Sequence, residues 1–325
     1  MLVPRYWSES KTKKVVNGKQ FTLMRFGWSD TSELDAKNLA DVRLQDAVST
    51  LEKEGDVRRI DHKTSYNGAE GVPIREEVIS THEDVVISRN SYGALCLNTP
   101  DVLFGDIDFD FEASFRMHVI SFALLFICAL LLGFYFESWG TLGVCVFVAA
   151  IFTSTLANIL HRVTLRLSGG VEKKALDTIM NVSMQNPELH MRIYRTPLGY
   201  RVLLMNNTYC PTGEAAIRLL NELESDRLYI QMCKNQNCFR ARVSPKPWRI
   251  NMVRLKPTPG VWPIKKERMA ERQEWVKMYE LKSKNISSCH YVTRLGSDKV
   301  NAKAEFVRKI HDELCRVNNS ELKIA

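Results

Sequence analysis

The chain has 325 residues, 45% of them apolar, and 45 Lys+Arg against 37 Asp+Glu give a formal charge of +8. Its eight cysteines are scattered, two of them inside apolar runs, which argues against a disulfide scaffold. The charge is uneven, 15 Lys+Arg against 21 Asp+Glu in residues 1–161 and 30 against 16 in residues 162–325, so the basic second part suits anionic lipid or nucleic acid without choosing between them.

The opening MLVPRYWSESKTKK is polar and basic and lacks the apolar centre of a cleavable signal. Residues 14–26, KVVNGKQFTLMRF, predict two short strands about Asn17-Gly18, the commonest short hairpin turn. SELDAKNLADVRLQDAVSTLEKEG then predicts a helix, capped by Asp30 or Ser32, ended by Gly55, with Leu34, Leu39, Val42, Ala47 and Leu51 facing inward. Residues 56–71 are turn-rich and predict a loop around Tyr66-Asn67-Gly68.

Extended segments are expected at residues 85–88, 94–98 and 102–109. In the last, side chains alternate, so Asp106 and Asp108 share a face. Two carboxylates so placed repel each other unless a cation lies between them, which makes them candidate Mg²⁺ or Mn²⁺ ligands and candidate catalytic residues, or else a solvated strand end. Asp110 and Glu112 add further carboxylates nearby.

Residues 117–136 and 140–160 form two runs of 20 and 21 residues without Asp, Glu, Lys or Arg, each long enough for a hydrocarbon layer of roughly 30 Å. They predict a transmembrane helical hairpin, with a buried hairpin as the alternative. Arg116, Arg162, Arg166, Lys173 and Lys174 flank it, while the connection offers only Glu137, which places both termini in the cytoplasm. No ionisable carboxylate, Lys or Arg interrupts the runs, so they read as an anchor and not as an ion path.

Beyond the hairpin a helix is expected over residues 171–184, with Leu176, Ile179 and Met180 inward. Two strands follow about Thr196-Pro197-Leu198-Gly199, bringing Arg195, Tyr200 and Arg201 to one turn as a candidate nucleotide-binding edge, with the two arginines as phosphate donors. Residues 211–223 predict a helix with Ala216, Leu219, Leu220 and Leu223 inward and Thr212 as its cap. Cys233 and Cys238 have only Cys289-His290 as a possible second pair, and read as ordinary thiols rather than a zinc site. CFRARV sets Arg240 and Arg242 on one face, with Lys246 just beyond.

From Arg240 to Arg272 there are ten Lys+Arg against two Glu, and five prolines hold the chain open. Trp248, Arg249, Arg254, Lys256, Trp262, Lys265 and Lys266 therefore form a candidate surface for single-stranded nucleic acid or for anionic lipid. Two helices close the chain, EWVKMYELKSK and DKVNAKAEFVRKIHDELCRV, the second with Ala302, Phe306, Ile310 and Leu314 at fourth-residue spacing.

These elements predict an α+β fold, a mixed or antiparallel sheet with covering helices, interrupted by the hairpin: residues 1–116, then 117–160, then 161–325. DIDFD, RTPLGYRVLL and CFRARVSPKP, in that order, resemble the catalytic core of the archaeo-eukaryotic primase and primase-polymerase superfamily. The resemblance implies a metal-binding pair at Asp106 and Asp108. Arg201 stands where that family has a nucleotide-contacting His, and no third carboxylate accompanies the arginine strand, Asp226 being the nearest. The two-helix organisation is also similar to that of bacterial membrane proteins, which implies an inner-membrane location. The resulting expectation is a membrane-anchored nucleotide or nucleic-acid binding protein. A metal-dependent nucleotidyl-transfer enzyme and a membrane scaffold that binds another protein are the alternatives.

Overall fold

A computed structural model describes residues 3–61, 72–109, 111–319 and 321–325. It is α+β with antiparallel sheets and helices, and divides into two compact units. The larger holds residues 1–107, 182–197 and 201–325; the smaller holds 108–181 and 198–200. The expected loop around Tyr66-Asn67-Gly68, and Asp110, lie outside the described residues.

In the larger unit β1 (Tyr6–Val16) and β2 (Lys19–Ser29) pair antiparallel without a shift in register. Asn17 and Gly18 both take positive φ, 51° and 72°, the conformation a two-residue hairpin turn of this hand requires. α1 (Glu33–Glu54) starts at Ser32, whose side chain accepts from the Asp35 amide, and stops at Gly55 with φ 75°. Its buried face is Ala36, Ala40, Ala47 and Leu51, whereas the expected Leu34 and Val42 are 69% and 54% exposed. Close approach is the reason. A Cβ on Gly27 of β2 would overlap the backbone of Ala36 and Ala40, so the helix presents small residues there.

β3 (Glu77–His82), β4 (Val85–Arg89), β5 (Leu95–Thr99) and, much later in the chain, β9 (Phe239–Arg242) form an antiparallel sheet in the order β3-β4-β5-β9. Five residues after β5 the chain enters a second sheet as β6 (Phe104–Asp108), beside β7 (His190–Thr196), β8 (Gly199–Leu204) and β11 (His290–Gly296) in the order β11-β7-β8-β6. Segments from before and after the apolar runs thus share both sheets.

Three helices follow the second sheet's hairpin in the larger unit. α5 (Glu214–Glu222) and the residue after it bury Ala216, Leu219, Leu220 and Leu223 as expected, although Gly213 and not Thr212 occupies the cap. α6 (Arg227–Gln236) was not anticipated. Its start is legible in hindsight, because the Asp226 carboxylate accepts from the amides of Leu228 and Tyr229. The Tyr229 hydroxyl donates to the Phe104 carbonyl at 2.8 Å and so ties α6 to β6. The proline-rich stretch includes a short 3₁₀ turn at Pro247–Ile250 and leads into α7 (Met269–Ser283), where Trp275 and Tyr279 stack at 5.0 Å.

The last elements are β10 (Ile286–Ser287), α8 (Ala302–Cys315) and β12 (Lys323–Ile324), with β10 and β12 parallel. The buried residues of α8 are Ala304, Val307, His311, Asp312 and Cys315. Ala302 is exposed and Phe306, Ile310 and Leu314 are half-buried, so the helix faces inward with a different stripe from the expected one. Spacing of apolar residues pointed to the wrong side because the buried side carries an imidazole, a carboxylate and a thiol, which hydrogen bonding makes tolerable in the interior.

In the smaller unit α2 (Phe115–Tyr135) and α3 (Trp139–Leu167) form a helical hairpin, capped by the side chains of Ser114 and Ser138. Mean hydropathies of 2.5 and 2.0 make both long and apolar enough to cross a membrane. The helices pack through small residues, Ala129, Gly133, Ala149 and Ala157, while Leu131, Phe134 and Ile151 are 66%, 85% and 58% exposed. α4 (Val171–Gln185) buries Ala175 and Ile179, but Met180 is 42% exposed.

Candidate functional site

A dense polar group in the larger unit starts on an inner strand of the second sheet. Arg201 of β8 is 2% exposed in its side chain, and its Nε and Nη2 donate to the two carboxylate oxygens of Asp106 on β6, at 2.7 and 3.2 Å. Nη1 donates to the Arg242 carbonyl of β9 at 2.8 Å, which links the two sheets. Burial by itself would raise the Asp106 carboxyl, but the adjacent guanidinium outweighs it and holds the group below the usual carboxylate range.

On its inner side Arg201 Nη1 lies 3.4 Å from His311 Nε2. The imidazole is held between the rings of Phe104 and Tyr194, with centroids at 5.3 and 4.8 Å. Its Nδ1 is 3.0 Å from the Asp312 carboxylate, to which it donates, and its Nε2 faces two sulfurs as well as Arg201. Cys315 Sγ lies 3.5 Å from Nε2 and Cys289 Sγ lies 4.0 Å from it. Cys289, His311 and Cys315 are all fully buried, and their donor atoms fall within 4.8 Å of one another. Together they form a cluster that could hold a metal ion.

The chain builds this cluster locally. His311 and Cys315 are four residues apart on α8 and therefore share a face. Cys289 sits between β10 and β11, and the Ser287 hydroxyl, which donates to the Cys289 and Cys315 carbonyls at 2.8 and 2.9 Å, fixes both cysteine backbones. The Cys315 thiol donates to the Cys289 sulfur, and this bond, helped by His311 and Arg201 against the effect of burial, holds Cys289 well below the usual thiol range. Burial and the same bond push Cys315 well above it. Burial would depress His311, but the Cys289 sulfur and Asp312 raise it above the usual imidazole value.

The residues singled out from the sequence do not come together at one site. Asp106 and Arg201 are joined, but to each other. Arg240 is 4% exposed and donates to both oxygens of the equally buried Glu76, at 2.7 and 2.6 Å, instead of standing beside them at a surface. In the smaller unit Tyr200 is buried edge-on against Phe109, with ring centroids at 5.5 Å. Asp108 is exposed at the end of β6, and Arg195 is half-buried with its guanidinium at the Thr196 carbonyl.

Several of the remaining residues form a surface around Trp248. Trp248 is 46% exposed, with the Tyr92 ring at 5.3 Å, Lys246 Nζ at 5.5 Å and Arg254 at 5.6 Å from its ring centre. The Arg242 side chain bonds the Tyr92 hydroxyl, and its Nε is buried without an acceptor. Arg249 is half-buried, and Lys256, Lys265 and Lys266 are exposed. Trp262 lies elsewhere, beneath Arg272 at 5.4 Å, which in turn pairs with Glu77 at 2.7 Å. The two tryptophans expected to act together have different cationic neighbours.

The Cys289–His311–Cys315 cluster was missed from the sequence. Cys233, Cys238 and His290, the neighbours that sequence spacing offers Cys289, do not belong to the cluster. The signal that existed was His311-x₃-Cys315 on one helix face. Its nitrogen and sulfur donors differ from the carboxylate pair proposed for Mg²⁺ or Mn²⁺, since those hard cations prefer oxygen. The chain matches no protein-family model, no curated protein and no solved structure.

Proposed function

We propose that the protein is anchored in a membrane by α2 and α3, with the flanks of the hairpin in the cytoplasm, and that its larger unit binds nucleotide or single-stranded nucleic acid at the surface around Trp248. The observation that carries this reading is the half-exposed Trp248 ring with Tyr92 against it and two cations, Lys246 and Arg254, beside it. A base stacks on such a ring whatever its sequence, while the two cations meet the phosphates. Binding without catalysis is favoured over nucleotidyl transfer because the charge of Asp106 is already matched by Arg201. A divalent cation at that carboxylate would have to compete with a buried guanidinium.

The test uses the full chain in neutral-lipid nanodiscs and the fluorescence anisotropy of a labelled single-stranded oligonucleotide. Trp248→Ala is expected to weaken binding by about 5- to 150-fold, the equivalent of about 1–3 kcal/mol for one stacked base. Lys246→Ala with Arg254→Ala should reduce the dependence of affinity on salt. Unchanged affinity in Trp248→Ala, or binding only to vesicles of anionic lipid, would overturn the proposal.

A further inference from the structure

We infer that Cys289, His311 and Cys315 are ligands of a thiophilic divalent metal ion, with zinc as the natural occupant, and that the ion fastens α8 to the segment leading into β11. This goes beyond the polyanion surface and does not depend on it. Zinc bound to sulfur at about 2.3 Å and nitrogen at about 2.0–2.1 Å in a tetrahedron sets its donors about 3.6 Å apart for S···N. The two S···N separations here are 3.5 and 4.0 Å. The donors already stand near the spacing that the ion would impose.

Three further features fit the ion. Asp312 at His311 Nδ1 supplies the carboxylate–imidazole pair that orients a zinc-bound histidine, and Nε2 faces both sulfurs, with its long 3.4 Å contact to Arg201 Nη1 the one the ion would displace. Phe104 and Tyr194 hold the ring in place. Two thiolates cancel the charge of a divalent ion, so the ion adds no net positive charge beside Arg201, whose own charge is met by Asp106. Among the described residues no fourth His, Cys, Asp or Glu joins the three, so the remaining position falls to water or another small donor.

The competing descriptions are less consistent with the geometry. A nucleophilic Cys–His pair must reach a substrate, and both Cys289 and His311 are 0% exposed. A metal-free core in which hydrogen bonds alone satisfy these groups would show neither zinc nor a cobalt spectrum. A disulfide between Cys289 and Cys315 would use the same sulfurs and exclude the ion, so the two states are separable by experiment.

The experiment uses the full chain, purified in detergent under reducing conditions. Metal analysis should find zinc stoichiometric with protein, and replacement by Co²⁺ should give sulfur-to-cobalt charge-transfer absorption with the visible bands of a tetrahedral site. Cys289→Ser with Cys315→Ser should abolish both signals, whereas Cys233→Ser with Cys238→Ser should keep them. Chelation should lower the melting temperature of wild type. If the first double variant does not fold, the wild-type zinc content and cobalt spectrum, together with the Cys233/Cys238 variant, still decide the matter. Absence of zinc with no charge-transfer band after loading would overturn the inference. So would signals that persist without Cys289 and Cys315, or recovery of those two cysteines as a disulfide from protein kept reduced.

Discussion

Replacing Asp106 by Asn tests whether this carboxylate is a structural partner before it is anything else. Asn keeps the shape and one acceptor but removes the charge that balances Arg201. The guanidinium would then retain one neutral acceptor on Asn, the Arg242 carbonyl at 2.8 Å and the weaker approach to His311 at 3.4 Å, but no counterion. Removing one member of a fully buried ion pair costs about 3–5 kcal/mol. Here Arg201 is 2% exposed but Asp106 is 33% exposed, so water takes over part of the lost interaction and about 2–3 kcal/mol is the expected loss. At about 2–4 °C per kcal/mol for a unit of this size, the melting temperature should fall by about 4–12 °C. Thermal unfolding of the protein in nanodiscs, followed by near-ultraviolet circular dichroism, measures it. Asp106→Leu combined with Arg201→Met should lose less than Asp106→Asn alone, because no buried charge is left without its counterion. A melting temperature unchanged in Asp106→Asn, or a double variant worse than the sum of its singles, would refute the reasoning. Any loss of ligand binding in Asp106→Asn has to be judged against this loss of stability.

Two other outcomes are expected. Burial opposes ionisation of Asp106 but Arg201 more than compensates, so its folded pKa lies below the unfolded value of about 3.9. Its contribution is therefore complete above that value and disappears as pH falls through the folded pKa; wild type should lose stability below about pH 4 more steeply than Asp106→Asn, and parallel curves would contradict this. For the anchor, a cysteine placed by Glu137→Cys should react with an impermeant thiol reagent in intact cells. One placed by Lys13→Cys should react only after permeabilisation, each compared with the parent protein, and the reverse pattern would overturn the orientation.

Much of the architecture was legible because it rests on local rules. Asn17-Gly18 set a hairpin, Ser32 and Gly55 bounded α1, and the apolar face of α5 was read correctly from spacing alone. Arg240 shows where this stops. In the sequence it is one of ten cations in an open, basic stretch; in the fold it is a core residue, because Glu76 meets it from a strand region more than a hundred and sixty residues earlier. Alternation along CFRARV indicated which side chains share a face, but not which face carries a buried counterion. α1 and α8 turned for related reasons, one because Gly27 admits only small residues opposite it, the other because a bonded polar cluster replaced an apolar stripe.

By itself the sequence determined the α+β class, the two apolar helices and the concentration of basic charge in the second part, since composition and periodicity act on neighbouring residues through water and the backbone. Only the tertiary structure decided that the buried Arg201 and Arg240 are matched by carboxylates, that Trp248 and Trp262 have separate surroundings, and that Cys289 meets His311 and Cys315. Each of those outcomes depends on the distance between side chains far apart in the chain. A buried charge or donor is tolerable only where its counterpart arrives within bonding reach, and that is settled by packing.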